Sequence, residues 1–512
     1  LSETLFQKWS SIQDAEQLLV EFGIECVGTA EIPDAPKPLE RGKSSDAKWA
    51  RRQAEWARKH AAWSAARNAA YIAWDEEANR RREEFLGLLR HYQAEVFAVI
   101  DDNRNPAALP DSLTFRARIT GLGFRDLVLN YPYLFEVVEP DSVSLPGGNA
   151  VASKAVFNLP TPLAPAANAP AVCVIDSGIQ EGHPWLGPAI DTASSRCFLP
   201  GESPTDVTDR VCPSGHGTRV AGAILYGAAV PDQGSPKLPC WIQNARVLDA
   251  NNDLPNSLPP PELMHAIVQH FHGGARGTRI FNQSINAWAP CRRRHMSAWA
   301  ATIDHLCWQN DIIFLQSVGN LRCSSPLPGP GIREHLAQGR SYPQYLWEES
   351  SRVANPGQSL QALTVGSLAY GAFAGSGWRS VASRDGEPSA FSRTGLGPWE
   401  VLKPELVEYG GDALVDSNQP PTVKIDELNG VNPPLVRSTM HSVSPAHMRD
   451  EGGTSFSTPK VARIAASVQD ALPKEPSLLH RALVVQSARW PAWAEDLLME
   501  ARSLSPTKAA QK

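Results

Sequence analysis

Two hydrophobic rhythms divide this chain. Downstream of Pro170, short runs that are apolar on both faces alternate with stretches whose apolar residues recur at the helical period. The runs at 171–175, 245–248, 279–283, 312–318 and 363–366 read as buried strands, and 261–272, 296–309 and 458–472 read as amphipathic helices. Strands without a polar face need cover on both sides. The pattern therefore predicts an α/β domain whose largely parallel sheet lies between two layers of helices. Functional residues in such a sheet are expected at the carboxyl ends of strands.

Upstream the rhythm is different. Residues 43–86 contain neither Gly nor Pro and are dominated by Ala, Arg and Glu, which predicts one long helix of up to ~65 Å. Trp49, Trp56 and Trp63 recur at a constant spacing, and Trp74 falls near the same face, so the helix carries an aromatic seam. The seam is expected to pack on its own domain or on a returning helix near 85–99; the sharper reading is a docking surface for a partner. Residues 114–119 and 134–139 alternate as half-buried strands do, with a short helix at 124–130 between them, which makes a small α+β unit. A stretch rich in Pro, Ala, Gly and Asn at 146–170 marks a linker. The expected division is an N-terminal α+β domain at 1–145, the linker, an α/β domain at 171–490 and a tail at 491–512.

Composition narrows the function classes. With 42% hydrophobic and 20% charged residues, the 512-residue chain is an ordinary globular one. Its 48 Lys and Arg against 54 Asp and Glu leave a net charge of -6, which offers no general field for nucleic acid or an anionic membrane. Residues 41–70 are locally basic, as a solvated helix face commonly is. The eight cysteines show no repeated spacing of the zinc-binding kind, and Cys173 sits in an all-apolar run as a small core residue would. The apolar run at 220–230 is too short to cross a bilayer. Acidic side chains occupy the first thirty residues, where an export signal would be basic and then apolar. A soluble, cytoplasmic protein without metal or cofactor is expected.

Four segments stand where strands end. Asp176 closes the run 172–175 within Asp-Ser-Gly. His216 lies in Ser-Gly-His-Gly-Thr-Arg-Val-Ala-Gly, Asn320 ends Ser-Val-Gly-Asn, and Ser455 lies in Gly-Gly-Thr-Ser-Phe-Ser-Thr-Pro. A hydroxyl, an imidazole, a carboxylate to fix its tautomer and an amide donor make a complete set for acyl transfer. Ser455 at a helix start offers both its hydroxyl and its backbone N–H to a developing anion.

These motifs, in this order, resemble the subtilisin-like serine proteases, the subtilases, over roughly residues 165–490. Asp-Ser-Gly is followed by His183-Pro184, then His-Gly-Thr-x-Val-Ala-Gly and Gly-Thr-Ser-x-x-Thr-Pro-x-Val-Ala. The resemblance implies a serine endopeptidase with Asp176, His216 and Ser455 as the triad and Asn320 as the oxyanion donor. It also implies substrate contacts at Ser284, Ile285, Asn286 and Gly319. His183 falls in a structural segment of the family, so His216 takes the role of base; Asp249, Asp311 and His441 are read as surface or loop residues.

Departures from the family pattern carry information too. Asn286 stands where the substrate segment has glycine, which bears on the depth and polarity of the primary specificity pocket. The acidic, Asn-rich loop by which many secreted subtilases bind calcium is missing after Gly222. Segments 321–350 and 407–450 read as insertions near the site. Residues 15–29 and 114–139 resemble pieces of the prodomain that covers the cleft in many subtilases, so the N-terminal domain is expected to regulate. Residues 407–411 and 481–488 resemble stand-alone bacterial subtilases encoded beside an AAA-type ATPase, some of them in antiphage defence pairs. The expected partners are thus a protein or peptide substrate and an AAA-type ATPase, since the chain has no phosphate-binding loop of its own. The rival class is an adaptor that uses a protease fold as a scaffold.

Overall fold

A computed structural model describes the chain apart from residues 27–32, 43, 101–111, 144–160, 212–214, 228–233, 293–294, 326–328, 426–435, 439–448, 492–493 and 496–512. The chain forms two compact units, Leu1–Pro140 and Asp141–Lys512.

The first unit contains α1 (Glu3–Lys8), β1 (Gln17–Glu25), α2 (Asp46–His91), β2 (Glu95–Ile100), β3 (Ser112–Thr120), α3 (Gly121–Asn130) and β4 (Leu134–Val138). Its antiparallel sheet runs β2-β3-β1-β4. Among the described residues, it is the C-terminal part of α2 that joins the core, through Ala78, Phe85 and Leu89. Phe85 is the hub: its ring lies 5.3 Å from Phe22, 4.9 Å from Phe115 and 5.0 Å from Tyr131. With no Gly or Pro until Gly87, nothing stops α2 earlier, and its 46 residues extend about 69 Å.

The aromatic seam has a cover that its spacing did not indicate. Trp56 Nε1 donates to the Lys37 carbonyl (2.9 Å) and Trp63 Nε1 to the Pro33 carbonyl (2.8 Å). The Pro-rich segment 33–38 therefore runs along the seam. A returning helix at 85–99 does not form: residues up to His91 finish α2 itself, and Glu95–Ile100 is strand β2.

The second unit contains β5 (Ala171–Asp176), β6 (Arg196–Cys197), α4 (His216–Tyr226), β7 (Trp241–Arg246), α5 (Pro260–His272), β8 (Ile280–Gln283), α6 (Ala298–Asn310), β9 (Ile313–Ser317), α7 (Ile332–Ala337), β10 (Leu363–Leu368), β11 (Ala374–Gly375), β12 (Trp378–Ser380), β13 (Leu406–Tyr409), β14 (Leu414–Asp416), β15 (Val423–Lys424), β16 (Val436–Ser438), β17 (Arg449–Glu451), α8 (Thr454–Ala471) and α9 (Ser477–Ser487). Seven strands pair in parallel in the order β13-β10-β9-β8-β5-β7-β6. Alternation along β5 serves both faces. Val172 and Val174 join the core with Val220 and Ile224 of α4 and Val461 and Ala465 of α8, while Cys173 and Ile175 join Met264 and Ile267 of α5 and Ile303 of α6. This is the predicted α/β architecture of a parallel sheet covered by helices on both faces.

The segment expected as an insertion at 321–350 carries α7 and has its own core, in which Leu321, Ile332 and Tyr345 meet Phe391 and Val415. That at 407–450 contributes β14 and β15 to a small sheet with β11 and β12, and part of it, His441 included, lies outside the described residues.

Candidate active site

Asp176 is the last residue of β5 and is fully buried. Its Oδ1 accepts the Ser177 N–H at 2.8 Å and His216 Nδ1–H at 2.7 Å. His216 opens α4 after Gly215, whose φ of +60° suits a residue without Cβ, and this abrupt helix start aims the ring at the strand end. Acceptance by Asp176 at Nδ1 leaves Nε2 as the basic nitrogen. His183, the other histidine of the region, instead accepts the Trp185 N–H at its Nδ1 (3.2 Å).

Ser455 is the second residue of α8 and nearly buried. In this structure its hydroxyl donates to the Ser284 carbonyl (3.1 Å) and not to His216, whose ring lies 6.0 Å from that of Phe456. Catalytic hydrogen bonds commonly tighten only when substrate arrives, and a hydroxyl can rotate. Asn320 follows β9 and is tied to α8: its Oδ1 accepts the N–H and the hydroxyl of Thr454 at 2.9 and 3.0 Å. Its Nδ2 remains available beside Gly453, where an added Cβ would come within 3.3 Å of that nitrogen.

The expected substrate residues divide by position. Ser284 adjoins the nucleophile through its carbonyl, whereas Ile285 is buried in the core and contributes its backbone, its carbonyl accepting Gln316 Nε2 (3.1 Å). Asn286 bridges the ends of β8 and β9: its Nδ2 donates to the Ser317 carbonyl (2.6 Å) and its Oδ1 accepts the Ser317 hydroxyl. Gly319 has φ +92°, and an added Cβ there would lie 2.7 Å from Ala354 Cβ, so only glycine fits this turn.

Asp209 has no motif around it, and sequence reasoning missed it. It is buried and accepts the Ser177 hydroxyl (2.9 Å), the Thr218 hydroxyl (2.7 Å), the Thr218 N–H (2.9 Å) and the Val211 N–H (3.2 Å). It thereby clamps the residue after Asp176 to the turn that begins with His216. Burial pushes its carboxyl above the usual range, against the hydrogen bonds from Thr218 and Ser177. Cys173 is fully buried, and burial pushes its thiol well up, as suits a core residue rather than a nucleophile. Asp249 caps its own loop through the Asn251 and Asp253 N–H groups, and Asp311 pairs with Arg279 at 2.6 Å. Among the described residues no group of three His, Cys, Asp or Glu is placed to hold a metal ion, and no helix is long and apolar enough to cross a membrane.

An uncharacterized protein of Sinorhizobium fredii, y4bN, is 31% identical over 211 residues, which are 40% of this chain and 46% of that protein. The chain thus spans less than half the length of this curated relative. Among solved structures, the epidermin leader peptide processing serine protease of Staphylococcus aureus matches with a TM-score of 0.45 and 15% identity, covering 78% of this chain and 90% of the other. A cold-adapted subtilisin-like serine proteinase matches with a TM-score of 0.38 and 18% identity, covering 66% and 89%. The model of the subtilase family, peptidase S8, matches residues 167–509, and the chain belongs to that family.

Proposed function

We propose that the chain is a serine endopeptidase in which Asp176, His216 and Ser455 form the triad and Asn320 donates to the oxyanion. The observation that carries this reading is the 2.7 Å contact of His216 Nδ1 with buried Asp176, formed where the sheet, α4 and α8 converge. His216 Nε2 takes the Ser455 proton as Oγ attacks the scissile carbonyl, and Asp176 stabilises the imidazolium. The new oxyanion is met by the Ser455 N–H and Asn320 Nδ2. Proton return to the leaving amine releases one product, and water then resolves the acyl-enzyme by the same steps. Substrates are proteins or peptides bound along residues 284–286 and 319. The test is covalent labelling by a fluorophosphonate: wild type is expected to label at Ser455, and Ser455→Ala and His216→Ala not to label. Labelling that survives both substitutions overturns the assignment.

The N-terminal unit is proposed to restrain this site. Supporting this, residues 15–29 and 114–139 resemble pieces of the prodomain that covers the cleft in many subtilases. Release by an AAA-type ATPase partner, in the cytoplasm and in antiphage defence, rests on the resemblance of 407–411 and 481–488. Cleavage of a denatured protein by the full chain is expected to be low and to rise when the partner and ATP are added. An equal rate with and without the partner opposes this regulation.

A further inference from the structure

One buried cation has no place in the triad chemistry. Arg393 is 5% exposed, and among the described residues its guanidinium bonds no carboxylate. It donates only to main-chain carbonyls: Nε to Asn320 (3.3 Å), Nη1 to Ser350 and Arg352 (2.9 Å each) and Nη2 to Trp288 (2.7 Å). Its own N–H donates to the Gly319 carbonyl (3.2 Å), and Asn320 pairs with Ser392 in an isolated antiparallel bridge. The stem packs against the same turn, since a Cβ added at Gly319 would lie 3.0 Å from Arg393 Cδ.

The charge is what demands explanation. Burying a cation without a counter-charge is costly, and neutral donors could satisfy carbonyls for less. Here two further cations stand close by: Arg322 stacks over Trp288 at 3.9 Å and Arg352 pairs with Glu349. Burial pushes the Arg393 guanidinium down to about 10, so it stays charged at neutral pH. Fixed positive charge behind the group that receives a developing oxyanion lowers the transition state with little reorganisation.

We propose that Arg393 is a positioning residue of the peptidase reaction: its fork locks the Gly319–Asn320 turn so that Asn320 Nδ2 meets the oxyanion, and its charge adds to the field there. This rests on the acyl-transfer reading above. It acts through Asn320, so its loss should slow chemistry rather than weaken substrate binding.

The experiment compares fluorophosphonate labelling of full-length wild type, Arg393→Met, Arg393→Lys, Asn320→Ala and the Arg393→Met/Asn320→Ala pair, well below each melting temperature. Arg393→Met is expected to label about 10- to 100-fold more slowly, the scale of a small misplacement of a catalytic group. Arg393→Lys should fall between, because an ammonium keeps the charge but not the planar fork. The double variant should be slower than Asn320→Ala alone by much less than the factor that Arg393→Met costs in wild type, the remainder being what the charge contributes. Labelling of Arg393→Met within about twofold of wild type, or a double variant slowed by the product of both single effects, overturns the proposal. If the Met variant does not fold, Arg393→Lys decides, and wild-type labelling by it is the overturning result. A wild type that fails to label speaks against the nucleophile instead. Hydrogen exchange over residues 317–321 then decides for Arg393: faster exchange in the variants supports it and unchanged exchange overturns it.

Discussion

The side-chain oxygen of Asn320 accepts both the backbone N–H and the hydroxyl of Thr454, the residue just before the candidate nucleophile. The amide is thus orientated by α8 itself, which leaves its nitrogen for the proposed oxyanion. Asn320→Ala is expected to lower kcat by about 10² to 10³ with little change in KM, the range known for the equivalent asparagine of subtilisin and not one calculated from these distances. Thr454→Val keeps the N–H and should cost less. Steady-state kinetics on a peptide substrate checks both; a raised KM at constant kcat would show that Asn320 only binds substrate.

Asp209 ties Ser177 to Thr218, and with them the two elements that bring Asp176 and His216 together. Asp209→Ala would leave buried donors without an acceptor, at about 1–3 kcal/mol each. A lower melting temperature is expected together with slower fluorophosphonate labelling at temperatures where the variant is folded. Full labelling speed in a destabilised variant would limit Asp209 to stability.

The Asn286 side chain and Ser317 are joined by two hydrogen bonds across the ends of β8 and β9, where the family resemblance puts the primary specificity pocket. Wild type is therefore expected to cleave after small residues, and Asn286→Gly to gain at least about tenfold on bulky apolar residues at that position, the scale of a few buried methylenes. Mass spectrometric profiling of cleaved peptide mixtures measures this. An unchanged profile would place the specificity elsewhere.

His335 of α7 is fully buried: its Nδ1 accepts Arg340 Nε (2.9 Å), Nε2 bonds the Ser350 hydroxyl (3.0 Å), and the ring stacks on Tyr345 at 5.1 Å. Burial, with Arg340 beside it, pushes the imidazole down to about 4. The unfolded chain then binds more protons than the fold between pH ~4 and ~6.5, so stability should rise with pH through that window and level off above it. The loss on acidification is at most about 3 kcal/mol. Denaturant titrations at pH 4.5 and 7 are expected to differ less for His335→Gln than for wild type.

The Trp63 indole bonded to Pro33 predicts coupling within the first unit. Trp63→Ala should increase protease nicking within 33–45 while leaving the Phe85 core, and hence the main unfolding transition, nearly unchanged. Equal nicking in both forms would show that the seam does not hold that segment.

Much of this protein was legible without coordinates, because local periodicity encodes local structure. Apolar runs without a polar face required a covered parallel sheet, absence of Gly and Pro required a long helix, and the order of Asp176, His216, Asn320 and Ser455 pointed to acyl transfer. What no local pattern carries is which distant segments become neighbours. Arg393 reaches Asn320 across 73 residues, Asp209 reaches Ser177 across 32, and Trp63 reaches Pro33 across 30. Strand order places β9 between β8 and β10, which sets Asn286 against Ser317, and the Asn320–Ser392 bridge sets the Asn320 turn against Arg393. Sequence determined the elements and the reactive groups; only tertiary packing decided their partners, because hydrogen bonds and buried charges answer to distance in space and not to distance along the chain.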